Sequence, residues 1–226
     1  MNAVIGRIVD FEKNVFARHA DLYGRLASKG QSPKSLMISC ADSRIVPELI
    51  LQADPGELFV TRNAGNIVPP FAQANGGVSS AVEYAVVALG VTDIIVCGHS
   101  GCGAMGALLK PGSLDEMPNV AAWLRHSHAA QGVVHNCYPN LPDEEKQRVL
   151  ALENVVCQLA HLRTHPSVAA GIARGTLALH GWFVDIHAGS ILALDEATGR
   201  FKPVTSDQPI PVALPHAKRL AAAELP

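Results

Sequence analysis

Two stretches decide how this chain folds: Ser35-Leu36-Met37-Ile38-Ser39-Cys40-Ala41-Asp42-Ser43-Arg44 and Asp93-Ile94-Ile95-Val96-Cys97-Gly98-His99-Ser100-Gly101-Cys102. Each opens as a short, mostly apolar run of strand length. Each then closes on a loop that carries thiol, imidazole or carboxylate groups, and helix-like sequence follows. Short apolar runs bounded in this way read as buried parallel strands. If the two strands are neighbours, Cys40, Asp42, His99 and Cys102 gather at one carboxyl edge of the sheet, where open α/β sheets place their sites. Two thiols, one imidazole and one carboxylate form a ligand set that zinc prefers.

Outward from these strands, residues 2–28 read as a long amphipathic helical arm, with Val4, Ile8, Phe11 and Val15 at helical spacing. A helix this long before the first strand packs on something else, such as another subunit. Gly30-Gln31-Ser32-Pro33 ends it. A further strand is expected at 57–61, after the turn signal Asp54-Pro55-Gly56, and helices at 76–90 and 101–109. Residues 110–140 read as irregular because of their prolines and glycines. A helix at 143–164 opens on Asp143-Glu144-Glu145, acids suited to its first turn, and Pro166 breaks it before a short helix to about 174. Strands at 177–186 and 190–194 flank Ala188-Gly189, and a proline-containing tail runs from 202 to 226. The expected fold is α/β. A mostly parallel central sheet is flanked by helices, with the arm in front and an antiparallel edge strand behind, in a single domain over 1–226.

The chain has 226 residues, 48% hydrophobic and 17% charged, enough for one well-buried domain. A net charge of −2 makes no electrostatic case for nucleic acid or an anionic membrane. No apolar run reaches the roughly 20 residues of a membrane span, and no apolar leader follows Met1. Five cysteines is an odd number, which speaks against a disulfide framework and for reduced thiols in the cytoplasm.

Each motif has a plainer reading. Cys97 has apolar neighbours and is expected to face the core, and Cys137 and Cys157 read as structural. His126, His128 and His135 form either a second metal cluster or a set of exposed histidines. Gly101-Cys102-Gly103-Ala104-Met105-Gly106 spells a dinucleotide fingerprint, but no strand ending in an acid stands where such a site needs one. Gly98-His99-Ser100-Gly101-Cys102 imitates a nucleophile elbow without its final glycine. Asp42 leaves two alternatives. As a fourth zinc ligand it closes the site. Held in a bidentate pair by Arg44, it is free to accept a proton from zinc-bound water.

The chain resembles the β-class carbonic anhydrases over roughly residues 1–195. The likeness rests on Cys40-Ala41-Asp42-Ser43-Arg44, Phe59-Val60-Thr61-Arg62-Asn63-Ala64-Gly65-Asn66, Glu83-Tyr84-Ala85-Val86 and Gly98-His99-Ser100-Gly101-Cys102-Gly103, with Gly181-Trp182 a weaker late match. It implies one zinc per chain held by Cys40, His99 and Cys102, an Asp42–Arg44 catalytic dyad, and reversible hydration of carbon dioxide to bicarbonate and a proton, a lyase reaction. It also implies a homodimer or a tetramer built from dimers, with the arm embracing the partner. Gln31, Phe59 and Tyr84 match the pocket of the open-site type, the two aromatics expected from the neighbouring subunit. Gln31 and the Gly103 amide are candidates to steady substrate oxygens. The bicarbonate-switched type uses a tryptophan, an arginine and a tyrosine. Arg62 matches, but Met37 and Val184 stand where the tryptophan and tyrosine would be. Two alternatives share the scaffold: a hydrolase of carbon disulfide or carbonyl sulfide, and a non-catalytic zinc-binding module.

Overall fold

The computed structural model describes residues 1–72 and 76–205. Its centre is a six-stranded sheet of β1 (Ser35–Cys40), β2 (Leu58–Asn63), β3 (Asp93–His99), β4 (Ala178–Asp185), β5 (Ser190–Asp195) and β6 (Arg200–Pro203). The order is β2-β1-β3-β4-β5-β6. The first four strands are parallel and the last two antiparallel. The helices are α1 (Asn2–Asp10), α2 (Phe16–Lys29), α3 (Pro47–Leu51), α4 (Gly77–Glu83), α5 (Gly103–Leu109), α6 (Pro118–Leu124), α7 (His128–Cys137), α8 (Asp143–Leu162) and α9 (Pro166–Arg174). None among the described residues is long and apolar enough to cross a membrane.

β1 and β3 are buried along almost their whole length, as befits central parallel strands covered on both faces. Their side chains alternate between two cores. Leu36, Ile38, Ile94 and Val96 pack beneath the helices, whereas Met37, Ile95 and Cys97 pack on the opposite face with Ile45 and Val184. Ser35 pairs with Asp93 and Ser39 with Cys97, so the two strands start and finish level. Cys40 and His99 therefore leave the sheet at the same edge.

Across β3 and β4 lies α8, whose buried stripe is Leu150, Ala151, Asn154, Val155, Gln158, Leu159 and Leu162, at spacings of three and four. The helix can approach this closely only because position 98 is glycine. A Cβ there would stand 2.8 Å from Val155 Cγ2 and 3.2 Å from the Ala151 carbonyl oxygen.

The arm expected over 2–28 is α1 and α2 joined by one π-helical turn, Phe11–Val15. Ile5, Ile8, Phe11 and Phe16 on it are 40–52% exposed, and α2 buries no residue within this chain. Two expectations are corrected. Residues 110–140 hold two helices, α6 and α7, joined by a short 3-10 turn, Arg125–Ser127. Pro118 opens α6 in its first turn, where the missing N–H costs nothing, and so initiates a helix instead of breaking one. The tail expected from 202 begins inside β6, an edge strand that tolerates Pro203 at its end. The rest of that tail, 206–226, lies outside the described residues.

Candidate metal centre and active site

Three elements deliver the three candidate ligands. Cys40 is the last residue of β1 and His99 the last of β3, while Cys102 stands at the N-cap of α5. Their ligand atoms all lie within 4.8 Å of one another. All three residues are buried, at 5%, 1% and 1% exposure. The Cys40 and Cys102 sulfurs are 4.0 Å apart, close to the roughly 3.8 Å that two sulfurs adopt on a tetrahedral zinc. His99 Nδ1 lies 3.0 Å from the Ser100 carbonyl oxygen. A carbonyl only accepts, so Nδ1 carries the proton and Nε2 presents its lone pair. Nε2 is buried without any hydrogen-bond partner in the protein. Such a group costs about 1–3 kcal/mol unless something takes up the lone pair. Donor chemistry, spacing and the orphaned imidazole nitrogen together fit zinc.

The electrostatics of the thiol pair agree. The neighbouring Cys102 sulfur, 4.0 Å away, drives the Cys40 thiol down against the cost of burial, helped by the Gly65 and Asp42 backbone amides. Cys102 is pushed up by Cys40 and by burial, which outweigh the Met105 and Ala104 backbone amides that pull it down. A bound dication would take both sulfurs as thiolates, because only thiolates ligate.

Asp42 stands at the rim of this cluster, its Oδ2 3.9 Å from His99 Nε2. Arg44 grips it in a fork: Nε donates to Oδ1 at 2.9 Å, Nη2 to Oδ2 at 2.7 Å, and the Arg44 backbone N–H to Oδ1 at 3.0 Å. The Arg44 fork holds the Asp42 carboxyl well below the usual carboxylate range. Nη2 also donates to the Gly101 carbonyl at 3.1 Å, tying the first ligand loop to the second. Arg62 reaches from β2 to the Cys40 and Asp42 carbonyls, at 3.1 and 2.7 Å. A depression of about 970 Å³ opens on the Arg44 side, lined in part by Arg44, Gly101 and His187.

The expected pocket residues divide. Gly103 follows Cys102 directly and opens α5. Gln31 precedes β1 at the end remote from Cys40. Phe59 pairs with Leu36 while Asn63 pairs with Cys40, so Phe59 stands about 13 Å along the strand from the ligand edge. Tyr84 accompanies it, ring centroids 6.0 Å apart, and is half exposed. One chain does not bring these three to its own metal cluster.

Other sequence signals resolve simply. Ser100, the elbow-like serine, accepts from the Ile186 N–H and anchors the end of β4. Cys97 faces the core and burial pushes it up to about 12. Cys137 is exposed and Cys157 half-buried. Among the described residues His126, His128 and His135 form no metal cluster; His126 packs edge-on against Trp123 and His161. The sequence reading missed the amides of α8. Gln147 donates to the Cys102 carbonyl at 2.8 Å, and Asn154 donates to the Gly65 carbonyl at 2.9 Å. The available signal was an asparagine and a glutamine, Asn154 and Gln158, on the apolar stripe of an otherwise ordinary helix.

Comparison with known proteins agrees with this geometry. Residues 35–191 match the family model described as carbonic anhydrase. A carbonic anhydrase of Pseudomonas aeruginosa is 49% identical over 201 residues, covering 89% of this chain and 90% of that protein. The solved structure of the β-carbonic anhydrase CcaA superposes with a TM-score of 0.88 at 45% identity, covering 91% of this chain and 92% of its own. One of two tetrameric β-carbonic anhydrases from Sordaria macrospora gives 0.74 at 28% identity, covering 89% and 98%. With that likeness running through both ligand strands and the loops between them, the chain belongs to the carbonic anhydrase family, in its β class.

Proposed function

We propose that this chain hydrates carbon dioxide reversibly to bicarbonate and a proton, with zinc held by Cys40, His99 and Cys102 and with Asp42–Arg44 as its catalytic dyad. The observation that carries the reading is the fork on Asp42. Both carboxylate oxygens already accept from Arg44, which favours a carboxylate kept beside the metal position over one that closes it. Cys40, His99 and Cys102 would hold zinc, which would supply Lewis acidity to ionise water towards about pH 7, less strongly than in an all-histidine site because two thiolates would offset its charge.

The protein's own groups do the rest. Held ionised, Asp42 has only lone pairs to offer, so it accepts the hydrogen of the attacking oxygen and turns that oxygen's free pair towards the carbon. Arg44 fixes the carboxylate's plane through its fork and through Gly101. The Gly103 amide and Gln31 steady substrate oxygens as charge develops on them. Phe59 and Tyr84 form an apolar wall that suits a nonpolar gas. Gln31, Phe59 and Tyr84 stand at the wrong end of this chain's strands to serve its own cluster, so in this reading they complete the site of a second copy. The exposed apolar face of the arm and the tetrameric Sordaria relatives support self-association, as a dimer or a dimer of dimers.

We assign the site to the open type. The positions where the switched type places its tryptophan and tyrosine hold Met37 and Val184, both packed in one apolar cluster with Ile95 and Cys97. The deciding experiment is metal analysis of the purified protein beside stopped-flow carbon dioxide hydration. One zinc per chain with hydration turnover is expected. Bound zinc with no hydration, or turnover of carbonyl sulfide or carbon disulfide in its place, would overturn the reading.

A further inference from the structure

The loop after β2 is read along its backbone by side chains from α6, α8 and the N-cap of α9. Trp123 Nε1 donates to the Ala64 carbonyl at 3.0 Å and Asn154 Nδ2 to the Gly65 carbonyl at 2.9 Å. The Val68 N–H donates to Gln158 Oε1 at 2.8 Å, and the Val68 and Pro69 carbonyls meet His161 Nδ1 and His165 Nε2 at 2.8 and 3.0 Å. At the centre is Asn154, fully buried. Its Oδ1 accepts from Ser127 Oγ at 2.7 Å and from Gln158 Nε2 at 2.8 Å. Two donors on Oδ1 settle which way the amide points and aim Nδ2 at Gly65. On its other side, Gly65 directs its N–H at Cys40 Sγ, 3.5 Å away. The position has φ +80, and a Cβ there would come within 3.0 Å of Met105 Cε. Only glycine brings the amide this close to the sulfur.

We infer that Asn154 is a positioning residue for the metal centre: through Gly65 it holds an N–H on the Cys40 sulfur, which moderates how strongly that thiolate donates to the metal. The physical reason is charge. A thiolate that accepts a hydrogen bond gives less electron density to the cation, and a site with two thiolates has the most to gain from that restraint. Three fully buried polar side chains, Ser127, Asn154 and Gln158, would be a poor way to fill space under a sheet if packing were their task. They are satisfied by one another and by the loop, so the network converts the rigidity of α8 into the position of one amide.

The inference rests on Cys40 as a metal ligand, and the test separates the two. The probe is the cobalt(II)-substituted full-length protein, read by its thiolate-to-cobalt charge-transfer band. Wild-type protein that shows no such band loses the ligand assignment itself. Given the band, Asn154→Leu should move it to lower energy and lower kcat about tenfold or more with little change in KM. Val155→Ala, on the same helix and in the core, should leave the band in place while reducing thermal stability. If Asn154→Leu does not fold, Ser127→Ala, which removes one of the two donors on Oδ1, should give a smaller shift in the same direction. A band unmoved in the Asn154 or Ser127 variant, or moved equally by Val155→Ala, overturns the inference.

Discussion

The two ends of the same strands are built on opposite terms. At the carboxyl end, β1, β3 and the start of α5 bring Cys40, His99 and Cys102 within 4.8 Å, buried and cross-braced by Arg44, Arg62 and the amides of α8. At the amino end, Gln31 is exposed, Tyr84 is half exposed beside Phe59, and the arm presents an uncovered apolar face. One end is finished within a single chain and the other is not. Metal chemistry demands fixed angles, which the strand ends of one chain can hold. A pocket wall demands only apolar surface in the right place, which a second copy can bring.

The sharpest way to break that contrast is to attack the finished end. Replacing Cys102 by alanine removes one of the three buried groups that form the metal-capable cluster. We expect zinc content to fall from one equivalent towards none and hydration to fall to background, while circular dichroism stays native. A variant that keeps its zinc and its rate would mean that the cluster is not the metal site.

The next effect is smaller because it leaves the metal bound. Arg44→Ala releases Asp42 from its fork, and kcat should drop about a hundredfold or more, with Asp42→Ala costing a similar factor. Because both residues serve one task, the double variant should lose little beyond either single one. Losses that multiply would show the pair to be uncoupled, and the ion pair would then be an ordinary surface bridge of small worth.

The unfinished end calls for a mixing experiment. Protein carrying Cys102→Ala, combined with protein carrying Phe59→Ala and Tyr84→Ala, should form mixed dimers in which one site carries both lesions and the other neither. Activity should then rise well above the sum of the parents, to about half of wild type per mixed dimer. Removing residues 1–29 should abolish both the dimer and this rescue, as followed by light scattering. Mixed protein no more active than its parents would place Phe59 and Tyr84 at their own chain's site or at none.

The sequence and the structure agree most closely where the chemistry is local. The strand end at Cys40 follows from an apolar run that stops at a polar loop, whereas β3 continues past its apolar run, which ends at Cys97, through Gly98 to His99; the parallel register did the remaining assembly. The errors arose where a residue's meaning depends on its place in an element not yet known. Pro118 reads as a breaker until it is seen to stand in the first turn of α6. Residues 200–203 carry little hydrophobic alternation because β6 is an edge strand held by a tight turn, in which Gly199 donates to the Asp195 carbonyl and Lys202 pairs with the Asp195 carboxylate. Asn154 and Gln158 interrupt an apolar stripe, but nothing near them in sequence says that a loop some 90 residues earlier supplies their partners. Asp42 and Arg44 stand two residues apart in the sequence, which makes a pair between them plausible; the fork, with its third anchor on Gly101, required the two loops to meet.

The smallest expected effect is an absence of change, and it concerns how the finished end is regulated. A bicarbonate switch needs donors for a buried anion beside the dyad, because an ion taken from water without them is strongly penalised. Met37 is fully buried and Val184 nearly so, with Ile45, Ile95 and Cys97 around them. Neither offers a donor. Arg62 is already engaged with the Cys40 and Asp42 carbonyls. Added bicarbonate should therefore shift the hydration rate no further than product inhibition requires. The rate should fall smoothly as pH drops, along a single protonation step. Asp42 is not the group that titrates near neutrality, since the Arg44 fork keeps it ionised far below that range. The measurement is initial rate against pH with and without bicarbonate, set beside Met37→Trp combined with Val184→Tyr. A steep, cooperative loss below about pH 8 in the wild-type protein, deepened by bicarbonate, would show that the apolar cluster does accommodate the anion and that Asp42 leaves Arg44 for the metal.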